Sequence, residues 1–126
     1  MAVKYTVIEK GNPQKPEQPK KWYANAKSIG DITLRSLSKE IAARSTVSAA
    51  DTQAVLIALT EVLVENLSDG KIARLGDFGS FQITLSSEGS ETEEKFNTSL
   101  IKNGKVNFRP GIDLREMLNN LKFEKA

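Results

Sequence analysis

The chain has 126 residues, 39% apolar and 27% charged, with a net charge of +2. That is the length and composition of one folded domain with at most a short appendage, and it excludes wholesale disorder. Cysteine and histidine are both absent, which removes disulfides, thiolate nucleophiles, zinc–thiolate sites and the commonest general base.

No nucleophile–base pair can be named among the scattered Asp and Glu residues, so the chain reads as a non-enzyme without metal, cofactor or small-molecule substrate. No window approaches the ~18 apolar residues of a membrane span. Met-Ala-Val-Lys-Tyr lacks the apolar core of a signal peptide, which points to the cytoplasm. Charge is unevenly spread: residues 1–27 hold six Lys against two Glu. That excess fits an anionic partner, and equally a solvated lysine-rich arm.

Val3 to Ile8 is β-branched and aromatic and predicts a strand. Gly11 to Pro19 holds three of the four prolines, so it is a loop. Lys21 to Lys27 returns as a second strand, giving a hairpin with a stiff tip. Its Trp22 is the only tryptophan. It offers either a stacking platform for a base or, more commonly, a pin holding an appendage to the body.

Leu34, Leu37, Ile41 and Ala42 are spaced as one face of a helix capped by Asp31 or Thr33. Ser48 to Asp51 resembles a capping box and opens a second helix reaching about Ser68. On that helix Val55, Leu56, Ile57, Leu59, Val62, Leu63, Val64 and Leu67 cover roughly 220° of circumference at about 100° per residue. Only the strip through Ala54, Ala58, Glu61 and Glu65 reads as solvent-facing. A surface helix needs an apolar stripe of about 100°, so the surplus predicts a homodimer, with Leu56, Leu59 and Leu63 in its core.

Gly70 is placed as a helix C-cap. Lys71 to Leu75 alternate as a strand, Gly76-Asp77-Phe78-Gly79 is a tight turn, and Phe81, Ile83 and Leu85 alternate again. Ser86 to Glu94 has no apolar residue. Ser90 to Glu93 has capping-box form, so a helical turn through Phe96 is expected there. Leu100, Ile101, Val106 and Phe108 read as a returning strand interrupted by a turn or bulge at Asn103-Gly104. Residues 84–109 are thus a long two-stranded arm, marginal alone in water. Pro110 suits the first turn of a last helix, whose face is Leu114, Met117, Leu118 and Leu121.

The order of elements, with Leu67-Ser-Asp-Gly70, Leu75-Gly-Asp-Phe-Gly-Ser-Phe81 and Phe108-Arg-Pro-Gly111, resembles the HU and integration host factor family of bacterial DNA-bending proteins. The resemblance runs from Thr33 to Leu121, and the extended front end is similar to the family's Bacteroidales variants. It implies an α+β fold: an intertwined homodimer with a helical base, a β-sheet saddle and β-arms that embrace double-stranded DNA in the minor groove. The N-terminal β-hairpin, residues 1–30, is then an extension on an HU-like domain of residues 31–126. Phe78, Phe81 and Phe108 fall on the family's core aromatics, and Arg109 and Arg115 on its phosphate-facing basic positions.

The arm departs from the family pattern. It carries Glu88, Glu91, Glu93 and Glu94, has no proline between Phe81 and Pro110, and has Ile112 where the family has a lysine. Proline intercalation is therefore not carried over. Phe96, Leu100 and Ile101 are candidate wedges, with burial inside the arm their commoner role. The remaining cations, Lys95, Lys102 and Lys105 on the returning half and Lys15, Lys20 and Lys21 in the extension, are candidate backbone contacts. The resulting expectation is a nucleoid-associated homodimer binding duplex DNA with little sequence preference. The alternative is an HU-fold dimer with weak or lost DNA binding, acting as a structural or protein-interaction module.

Overall fold

A computed structural model describes residues 1–126. The elements are β1 (Val3–Lys10), β2 (Lys21–Ala26), α1 (Leu34–Ala43), α2 (Ala49–Ser68), β3 (Ala73–Arg74), β4 (Gly79–Ser87), β5 (Ile101–Pro110), α3 (Ile112–Asn119) and β6 (Phe123–Lys125). They form a mixed α+β fold with two three-stranded sheets, ordered β2-β1-β6 and β3-β4-β5. No helix is long and apolar enough to cross a membrane.

The helix pair follows its sequence signals. Thr33, not Asp31, caps α1, its hydroxyl accepting from the Ser36 amide at 3.2 Å. The Ser48 hydroxyl accepts from the Asp51 amide at 3.1 Å and starts α2. At the far end, the Gly70 amide donates to Leu67 O and the Lys71 amide to Asn66 O. This Schellman pair requires the left-handed φ of +83° that Gly70 adopts. Where α1 meets α2 the buried side chains are small. Ser38 and Thr52 return their hydroxyls to the carbonyls of Leu34 and Ser48, four residues back.

Gly76–Phe78 is a single 3-10 turn, and β3 is two residues long rather than the five expected. Asn103-Gly104 is not a turn: both residues sit inside β5, opposite Ser86 and Leu85. Cross-strand pairing overrides the local turn preference, and the irregularity is a bulge at Lys102, between the Ser86–Asn103 and Ser87–Ile101 pairs. No helix forms from Ser90. Its hydroxyl donates to Thr92 O instead of capping Glu93. The expected turn through Phe96 forms one step later, with the Thr92 hydroxyl accepting from the Lys95 amide and the Phe96 amide donating to Glu93 O. A 3-10 turn capped by Asn97 follows at Thr98–Leu100. Pro110 ends β5 opposite Gly79, and Gly111 is the N-cap of α3.

One strand had no clear sequence signal. β6 pairs in parallel with β1, Val3 opposite Phe123, so the N-terminal hairpin shares a sheet with the C-terminal strand.

The single chain does not close a core. Ser38, Thr52 and Gly79 alone are buried, and no apolar side chain is. The accessible surface is 10832 Å², whereas a compact chain of 13.9 kDa exposes about 6,700 Å². On α2, Leu56, Leu63 and Leu67 are half-buried. Val55 and Val64, on opposite flanks of that face, are 61% and 60% exposed, and Leu59 is also exposed. Phe78, Phe81 and Phe108 form the expected cluster, with ring centroids 4.9 to 6.4 Å apart. One side of it stays open, Phe78 being 55% exposed.

Candidate nucleic-acid interface

The β4–β5 ribbon has two chemically distinct faces, fixed by register. Phe81, Ile83 and Leu85 stand opposite Phe108, Val106 and Gly104 and form the apolar face. On the other face Ser80, Gln82, Thr84 and Ser86 oppose Arg109, Asn107, Lys105 and Asn103. That face holds no carboxylate. Asn107 donates to the Thr84 hydroxyl at 3.0 Å, tying the two strands together.

At the base of the ribbon β3 extends the polar row. Arg74 pairs with Ser80, which pairs with Arg109. Two arginines thus flank a serine across three strands, about 10 Å apart at the backbone. A third comes from α3: Arg115 lies in its first turn, where Nε donates to Gly111 O at 3.4 Å. Together Arg74, Arg109 and Arg115 line a cleft of about 290 Å³ with Ser80, Pro110, Gly76, Gly79 and Gly111, the Pro110 ring being its one apolar side chain.

The floor of the cleft demands glycine at two places. A Cβ on Gly111 would lie 2.0 Å from Asp77 O, and one on Gly79 would lie 2.5 Å from Arg109 O. This closeness lets the Gly111 amide donate to Phe78 O at 3.0 Å and locks the 3-10 turn onto the start of α3.

None of the three arginines takes part in an ion pair; the chain's three pairs are Lys4–Glu124, Lys95–Glu91 and Lys102–Glu88. Guanidinium groups without carboxylate partners in a polar, glycine-floored cleft are suited to bidentate binding of phosphate oxygens.

Of the residues singled out from sequence, the structure brings Arg109 and Arg115 together and sets Lys105 further along the same polar face. Lys95 and Lys102 are held by Glu91 and Glu88 toward the tip, at 3.4 and 3.6 Å. Lys15, Lys20 and Lys21 lie in the N-terminal hairpin, which pairs with itself and with β6, and none of them lines the cleft. Arg74 was missed. Its signal is position: it lies two residues before Gly76 and in register with Ser80.

Residues 1–125 match the family described as "HU domain fused to wHTH, Ig, or Glycine-rich motif". The chain belongs to this HU-domain family. Its fold is similar to that of a candidate bacterial DNA-binding protein from Bacteroides vulgatus ATCC 8482, solved at 2.25 Å. The TM-score is 0.67 at 13% identity, covering 99% of this chain and 48% of that one. The HU-family chain described here thus spans about half the length of that protein. No curated protein matches its sequence.

Proposed function

We propose that this HU-family protein is a nucleoid-associated homodimer that holds duplex DNA by its phosphates, with little sequence preference. The observation that carries the reading is the row Arg74–Ser80–Arg109 with Arg115 beside it, free of ion pairs on a face without carboxylates. Contacts of this kind fix the position of a duplex and carry no base code. The family, and the DNA-binding description of the similar Bacteroides protein, support the same partner.

The homodimer is supported by exposure. A chain with no buried apolar side chain and about 4,100 Å² of surface beyond that of a compact chain gains a core by association. The open flanks of α2 and the open side of the phenylalanine cluster are the surfaces for it. Two copies also double the number of arginine clefts offered to one duplex.

A second reading, an HU-fold module that binds protein rather than DNA, is favoured by the acidic arm tip with Glu88, Glu91, Glu93 and Glu94. A gel shift with generic duplex at two salt concentrations separates the two. Micromolar retardation that weakens as salt rises supports phosphate binding. No retardation at low salt favours the protein-binding module.

A further inference from the structure

We infer that the apolar face of the β2-β1-β6 sheet is covered by a second copy of the chain, making the N-terminal hairpin part of the dimer interface. The inference rests on the dimer reading above and extends it to a surface that reading does not use.

Register puts Val3, Tyr5 and Val7 of β1 on one face with Ala24 and Ala26 of β2 and Phe123 of β6. Five of these six line an open hollow of about 480 Å³ made entirely by hydrophobic residues. Trp22 continues the β2 row past Ala24 and is 66% exposed. The reverse face is mixed: it carries Lys10, Lys21, Asn25 and the Lys4–Glu124 pair at 2.7 Å, with Ile8 and Tyr23 as its apolar members. β1 and β2 pack chiefly on each other and, through β1, on β6, and α3 reaches the face only at its Val3 edge.

Area and continuity argue for a second copy as the cover. An obligate homodimer removes about 1,000–2,500 Å² from each partner. The chain exposes about 4,100 Å² more than a compact chain of its mass, so an interface of that size takes in the sheet face as well as α2 and the phenylalanine cluster. The sheet face is also joined to the rest of the exposed apolar surface. Met1, Val3, Met117 and Leu121 line a groove of about 550 Å³ between the sheet and the end of α3, and Met117 and Leu118 are exposed beside it. The apolar surface therefore runs from α3 onto the sheet, with Asn120 and Lys122 at the groove's edge. DNA does not suit it: the only charges in these rows are Glu9 and Lys125, which are of opposite sign.

Trp22 makes the test direct, because it is the only tryptophan. Its emission and acrylamide quenching are followed through a dilution series of the full-length protein, with sedimentation velocity on the same samples. The inference expects blue-shifted, protected emission in the dimer that becomes solvent-like on dissociation. It also expects Ala24→Glu, a charge placed mid-face on an exposed strand, to abolish protection and raise the dimer Kd by about tenfold or more. A dimer whose Trp22 is as accessible as in the dissociated chain overturns the inference and leaves the dimer reading intact. A monomer at micromolar concentration overturns both. Protection that appears only when duplex is added makes the face a base-stacking surface and likewise overturns it.

Discussion

The base and the tip of the arm differ in what their charges can reach. Residues 86–111 carry four cations and four carboxylates, a neutral sum that promises little affinity for a polyanion. The structure divides that sum. Every carboxylate of the arm lies between Glu88 and Glu94, beyond the end of β4 at Ser87, where Lys95 and Lys102 pair with two of them. The base keeps Lys105 and Arg109 in a row without acids and adds Arg74 and Arg115 from neighbouring elements. Segment charge therefore hides where unpaired cations gather, and strand register shows it. Exposed ion pairs such as those at the tip contribute little to stability. Their effect here is to occupy cations that a phosphate would otherwise meet.

Charge reversal at the base is expected to have the largest effect. Arg109→Glu puts an acid into the row in each copy of the proposed dimer and should lower duplex affinity by about 100-fold or more, since each charge-assisted hydrogen bond is worth about 1.5–3 kcal/mol. Fluorescence anisotropy with a labelled duplex measures it, and a change under threefold would erase the distinction between base and tip. Gly111→Ala attacks the floor of the cleft. Its Cβ, 2.0 Å from Asp77 O, forces the 3-10 turn away from α3, at a cost of about 1–3 kcal/mol read by denaturant melting.

Changes at the tip should run the other way and be smaller. Replacing Glu88, Glu91, Glu93 and Glu94 by Gln frees Lys95 and Lys102 and should raise affinity by about tenfold while steepening its salt dependence. An unchanged slope would show that the tip stays off the duplex whatever its charge. Smallest is the extension. Neutralising Lys15, Lys20 and Lys21, which do not line the cleft, should cost about threefold and flatten the slope slightly; an unchanged slope removes the extension from the interface.

Much of the fold was readable in the sequence because it rests on local chemistry. Thr33, Ser48 and Gly70 mark helix ends by hydrogen bonds within a few residues, and alternation along β4 and β5 puts Phe81 opposite Phe108, with Phe78 joining them from the 3-10 turn as the family resemblance implies. The missed features depend on distant partners. Phe123–Lys125 is too short to show periodicity, and its partner Val3–Tyr5 lies at the opposite end of the chain. Asn103-Gly104 carries a strong local turn preference that pairing with Leu85 and Ser86 overrides. Arg74 belongs to a two-residue strand, so its place beside Arg109 appears only once both neighbours of Ser80 are known.

The slope of log affinity against log salt, compared between two double variants, tests the central claim most directly. Each lost phosphate contact should reduce the slope by about 0.9, and a homodimer loses contacts in pairs. Arg74→Ala with Arg109→Ala should therefore flatten the slope by about 3 or more, while Lys95→Ala with Lys102→Ala leaves it within about 1 of the parent. A slope that falls with the tip lysines and holds with the base arginines would contradict the assignment of the DNA contact to the base of the arm.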